Sequence, residues 1–161
     1  MRFFCLIAIF FISALIGYLI KKKYVRQFDI LNELNNFIDY LYPNVSIYKN
    51  NLQEIINCYL IQQNNKNAKS GKMFLKNNTL YCFDIKKIKY EICDTNTING
   101  IELFLNNIGK MDLVNECNKI KEFKTVLNEY IVNAKKELNE KGDLYFKISI
   151  SIGLILSVVL W

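Results

Sequence analysis

The side chains able to do chemistry are limited in kind and scattered in position. The chain has no histidine, so the commonest general base and metal ligand is missing. Its five cysteines are Cys5, Cys58, Cys82, Cys93 and Cys117, with no Cys-x-x-Cys pair among them. That spacing offers no thiolate cluster for zinc, and free thiols packed as small hydrophobes are expected instead. Gly71–Lys72 lacks the upstream glycine and the following Ser or Thr of a nucleotide-binding loop. Glu116, Glu122, Glu129 and Glu137 lie mostly beside lysines, a pattern read as a solvated helix face with ion pairs rather than a catalytic dyad. The two apolar runs hold no acid, which argues against a proton or ion pathway. No catalytic residue, cofactor site or metal site is expected, and an enzyme is not predicted.

The elements that could hold any function are dominated by two apolar ends. Residues 3–20 form an apolar run interrupted only by Ser13, Gly17 and Tyr18. As a helix it would rise roughly 27 Å, enough to cross a hydrocarbon core. A cleaved signal peptide is the competitor. Only Arg2 precedes the run, and no Ala-x-Ala pattern follows it, so an uncleaved anchor is expected. Residues 144–161 form the second run, with one charge, Lys147. Tyr145 and Trp161 stand at its ends, where aromatic belts form. It would span roughly 25 Å, so it is expected to thin the bilayer or let Lys147 snorkel to the interface. Packing on a membrane surface or on another helix is the second reading of that run.

Charge placement sets a topology. The net charge of +6 is mild, but Lys21, Lys22, Lys23 and Arg26 follow the first run at once. Lys135, Lys136, Lys141 and Lys147 gather at the second. Both basic flanks lie on the side of the intervening domain, so positive-inside places that domain in the cytoplasm and both termini outside. The lipid bilayer, with anionic headgroups, is the expected partner of these residues. No aromatic-interleaved basic motif supports nucleic acid.

The sequence therefore predicts three parts: an N-terminal transmembrane helix over 1–20, a cytoplasmic helical domain over 21–143, and a C-terminal transmembrane helix over 144–161. The fold class is all-α, a small bundle flanked by the two spans. Within the domain, Tyr24, Phe28, Leu31, Leu34, Ile38 and Leu41 keep helical spacing, with Asp29, Glu33, Asn35, Asn36 and Asp39 between them. Pro43 predicts a kink or a break after Tyr42. A helix is expected over 52–61, buried through Leu52, Ile55, Ile56, Tyr59 and Leu60, with Asn51 and Glu54 as a capping box. Residues 62–71 read as a loop. Residues 73–80 and 81–92 read as short helical pieces, although Phe83, Ile85 and Ile88 also fit a strand. Asp94 to Asn96 form a cap cluster before a helix over 98–108, which Gly109 closes in the left-handed conformation. Asp112 caps a long helix whose apolar face runs through Leu113, Cys117, Ile120, Phe123, Leu127, Tyr130 or Ile131, Ala134 and Leu138. A short polar break at 139–143 then leads into the last run.

Several of these pieces together resemble the stage III sporulation protein AB family of endospore-forming bacteria. Ile12-Ser-Ala-Leu-Ile-Gly17-Tyr-Leu and the stretch from Lys21 to Leu34 look like that family's anchor and first Leu-rich helix. Ile47-Tyr48 and Leu52-Gln53-Glu54-Ile55 look like the start of its second helix. Ile108-Gly109-Lys110-Met111-Asp112 looks like its leucine-glycine-x-x-aspartate segment. The charged approach from Leu138 and Ile152-Gly153-Leu154-Ile155 look like its C-terminal apolar helix. The family-like positions are thus Gly17, Leu52, Gly109, Asp112 and Gly153. The chain departs from the pattern at Ser46, where the family has an acid, at Asn50-Asn51, where it has Thr-Pro, at Pro43, and across 62–93.

The resemblance implies a structural component of a secretion-like channel complex needed for endospore formation. It implies a multi-pass protein of the mother-cell membrane that faces the forespore. It also implies a fold similar to the F-type platform domain of type II secretion systems. The implied partners are the stage III sporulation AA ATPase, docked on the cytoplasmic domain, and other membrane subunits of the same complex. A platform or adaptor of another type II secretion or type IV pilus-like machine is the alternative.

Overall fold

The computed structural model describes residues 2–47, 52–65, 85–92 and 94–159. Every regular element among them is helical: α1 (Arg2–Ser46), α2 (Leu52–Asn65), α3 (Ile85–Glu91), α4 (Thr95–Asn107), α5 (Leu113–Glu137), a π-helical turn (Leu138–Gly142) and α6 (Asp143–Val159). Among the described residues the chain is all-α, and the helical reading of the 85–91 piece holds over the strand alternative. The expected 62–71 loop continues α2 as far as Asn65 and then passes, with the expected 73–80 piece and Asn51, outside the described residues.

Of the kink or break expected at Pro43 the break is absent, and so is the polar break expected at 139–143. Pro43 lies inside α1, which runs on to Ser46. The proline removes one helix donor, but the turn around it is otherwise closed. The Ile47 amide donates to the Pro43 carbonyl at 2.9 Å, and the Asn44 side-chain amide donates to the Tyr40 carbonyl at 2.7 Å. The polar stretch at 139–143 is likewise a wider helical turn, not an interruption. Asn139, Glu140 and Lys141 are polar but helix-compatible, and Lys141 Nζ donates to Glu137 Oε1 at 2.6 Å one turn back.

Two compact units divide the chain. One comprises Met1–Phe28 with Val132–Trp161, and the other Asp29–Ile131. The second unit is a helical bundle, and its core follows the apolar spacing. Leu31, Leu34, Ile38 and Leu41 are buried as the sequence predicts, and Ile30 and Phe37 join them. Burying each such side chain favours the fold by about 2 kcal/mol. On α2, Ile55, Ile56 and Tyr59 are buried. The Tyr59 ring meets Phe37 edge-on at 5.2 Å and Tyr40 at 5.3 Å. Helix α4 stacks Phe104 on Phe123 of α5, with the rings 3.9 Å apart and 4° from parallel. Lys124 pairs with Asp39 at 2.5 Å, and Lys89 of α3 with Glu102 of α4 at 2.8 Å.

The caps fall where the sequence puts them. The Asp94 carboxylate accepts from the Thr97 amide at 2.9 Å, the Thr97 hydroxyl at 2.6 Å and the Asn96 amide at 3.3 Å. Those bonds, the Thr97 hydroxyl first, hold its carboxyl below the usual carboxylate range. Gly109 takes φ +80°, the left-handed region that a side chain rarely adopts. The Asp112 carbonyl accepts from the Glu116 amide at 2.9 Å, and its carboxylate from the Asn115 side-chain amide at 2.5 Å.

Two acids sit differently from the expected pattern. Glu116 is buried, not part of a solvated face, because its Oε1 accepts the Gly109 amide at 2.7 Å and folds the side chain inward. Glu33 is also buried, although its place among polar residues suggested solvent.

Candidate membrane hairpin

The first unit is built by the apolar half of α1 and by α6, which lie antiparallel. Contacts step down α6 as they step up α1: Ser13 against Gly153, Gly17 against Ser149, Lys21 against Asp143 and Tyr24 against Gly142. The seam is made of the smallest residues. A β-carbon added at Gly17 would sit 2.7 Å from the Ser149 β-carbon, and one added at Gly153 would sit 3.0 Å from that of Ser13. No side chain larger than hydrogen fits Gly17 without displacing its partner helix. Gly17 and Gly153 are both buried, whereas most of their apolar neighbours are not. The Ser13 hydroxyl donates to the Ser149 carbonyl across the seam. Small residues four apart on each of two helices let backbones approach closely where lipid gives no hydrophobic drive for association.

Away from the seam, both helices present apolar side chains outward. On α1, Phe4 is 78% exposed, Phe11 65% and Ile12 60%. On α6, Ile155, Val158 and Val159 are the most exposed of the apolar side chains. Exposed apolar side chains gathered on two paired helices mark a surface that meets lipid or another protein. The hydroxyls on α6 are satisfied within their own helix: Ser151 donates to the Lys147 carbonyl at 3.0 Å and Ser157 to the Gly153 carbonyl at 2.7 Å. Among the described residues, one helix, Leu113–Val159, is long and apolar enough to cross a membrane.

The polar end of the hairpin carries the basic flank. Lys21 Nζ pairs with the Asp143 carboxylate at 2.7 Å and lies 5.7 Å from the centre of the Phe146 ring. Lys22 lies 5.9 Å from the Tyr18 ring centre. Lys23 and Lys147 are exposed, and Arg26 is half-buried. Gly142 is buried, with a notional β-carbon 3.6 Å from that of Tyr24, so the π-turn brings its backbone against α1.

The family-like positions thus fall into two groups. Gly17 and Gly153 share the hairpin seam. In the other unit, Gly109 faces Leu52, whose Cδ2 would lie 2.5 Å from a β-carbon at 109, and Asp112 opens α5 just beyond. Ser13, Ser149 and Asp143 are seam residues that the sequence reading passed over. The signal was present as two small pairs at i,i+4, Ser13/Gly17 and Ser149/Gly153. Among the described residues no group of His, Cys, Asp and Glu is placed to hold a metal ion. Cys58 and Cys117 are free thiols. Comparison of the chain with family models, curated proteins and solved structures finds no match in any of the three.

Proposed function

We propose that this chain is a non-enzymatic adaptor held in a membrane by both of its ends, with the helical bundle on the cytoplasmic side. The observation that carries the reading is the antiparallel hairpin: a seam of small residues inside, apolar side chains outside, and an ion pair and lysines at one end. Residues 3–20 and 144–161 are its two spans. Lys21, Lys22, Lys23 and Lys147 lie at the level of anionic headgroups, with Lys21 also paired to Asp143. Other membrane subunits would pack on the outward faces.

At the finer level, the resemblance in the sequence supports a component of the sporulation channel in the mother-cell membrane, docking the AA ATPase. The reading rests on the order of the motifs around Gly17, Leu52, Gly109, Asp112 and Gly153. A related secretion or pilus-like machine remains the second reading, since the same motifs would serve a platform protein. The test is a clean deletion followed by counts of heat-resistant spores and microscopy. Normal growth with development arrested after engulfment is the expected result. Normal sporulation, or a defect in growing cells, overturns the sporulation reading and leaves the doubly anchored adaptor.

A further inference from the structure

The bundle holds a groove that its own packing does not fill. It has a volume of about 220 Å³ and runs between α4 and the first half of α5. The stacked rings of Phe104 and Phe123 lie along it, and Leu103, Met111 and Val126 flank it. Leu103 is 64% exposed. An apolar side chain this open, beside a flexible methionine and two aromatic rings, is the composition of grooves that take an amphipathic helix.

The charges around the groove are unequal. Glu116 and Glu122 line it against the single ammonium of Lys119. Glu116 is buried, with Oε1 taken by the Gly109 amide, while its Oε2 has no partner among the described residues. A buried carboxylate oxygen without a donor is costly, and a positive charge brought into the groove beside it offsets part of that cost through space. An occupant that matches both features is apolar along one face and carries a Lys or Arg within that face.

We propose that this groove docks an amphipathic helix of a partner protein, with leucine-like side chains over Phe104 and Phe123 and a Lys or Arg set against Glu116 and Glu122. The proposal rests on the adaptor reading and names its docking surface. It does not depend on which machine the adaptor serves.

The test uses the full chain in lipid nanodiscs and a fluorescent synthetic helix of about five turns. The peptide has leucines at helical spacing and one lysine inside the apolar face. A second peptide carries glutamate at that position, and empty nanodiscs supply the lipid background. Saturable micromolar binding of the lysine peptide is expected. Leu103→Asp, at an exposed position, should weaken it about tenfold or more, and Glu122→Lys should reverse the preference between the two peptides. Binding of neither peptide, equal binding after Leu103→Asp, or preference for the glutamate peptide overturns the proposal. So does self-association of the chain that Leu103→Asp abolishes, which would make a second copy the occupant. Membrane extraction of Leu103→Asp is measured in parallel. A variant that stays in the membrane but loses the peptide separates failure of the groove from failure of the anchor.

Discussion

Glu33 is the residue whose chemistry departs furthest from its sequence context. It sits on α1 next to buried Leu34 and one turn before buried Phe37, and neither of its oxygens has a partner among the described residues. Burial pushes its carboxyl up from 4.5 to about 7, and the Asp29 carboxylate one turn earlier adds to the rise. Asp29 is itself raised by burial. Because the folded value lies above the unfolded one, the folded state binds the proton more tightly. The stability this confers is full below about pH 4.5 and is lost as pH rises through about 7. Glu33→Gln keeps the shape of the neutral acid and removes the titration. Thermal unfolding of the full chain in detergent should show the native protein losing stability between about pH 5 and about pH 8, and the variant holding nearly constant. Parallel curves for the two proteins would mean that Glu33 is charged and paired in solution. The surrounding sequence could not reveal this site, because a single glutamate at the edge of an apolar stripe reads as solvent-facing until its neighbours are placed.

The hairpin makes its claim at the level of two helices, α1 and α6. Their apolar character and their basic flanks were legible in the sequence, as were the core stripes and the caps at Asp94 and Gly109. Local rules govern those features: helical spacing, a carboxylate before a helix, a glycine after one. What local rules could not supply was the pairing. Pro43 argued for a kink or a break and the polar stretch at 139–143 for a break, yet the helices run on through both, because a helix tolerates one missing donor, or one wider turn, when neighbouring bonds hold. Glu116 was misread for the same reason, since its partner is a backbone amide seven residues away. The seam itself yields a sharp expectation. Gly17→Ile forces a branched side chain into space that Ser149 already occupies, so the helices must part. Loss of such close packing in lipid costs on the order of 1 kcal/mol. Cysteines at 24 and 142, whose β-carbons would lie 3.6 Å apart, added to a chain whose native cysteines are serine, should cross-link on oxidation. Adding Gly17→Ile should suppress that bond, whereas Leu15→Ile, on the outward face, should leave it intact. A cross-link indifferent to Gly17→Ile would show that the helices are held by something other than the seam.

For the whole molecule, the decisive question is the side of the membrane on which the bundle lies. Two independent features bear on it. Lys21, Lys22, Lys23 and Arg26 follow one span, and Lys135, Lys136 and Lys141 precede the other. An antiparallel hairpin brings both flanks to one end, as the Lys21–Asp143 pair attests. On the proposed reading the positive-inside bias of the two flanks then adds instead of cancelling, and it predicts a cytoplasmic Asp29–Ile131. Cys58 reports directly on this, because it is an exposed thiol on α2 within that unit. In intact cells a membrane-impermeant maleimide should leave Cys58 unlabelled, and after lysis it should react. The Cys58→Ser chain supplies the background from the remaining cysteines. Labelling of Cys58 in intact cells would place the bundle outside and remove any route to a cytoplasmic motor, whatever the groove between α4 and α5 binds. Protection before lysis, joined to resistance of the chain to carbonate extraction, is what a doubly anchored cytoplasmic adaptor requires, since a peripheral bundle would be protected yet extracted.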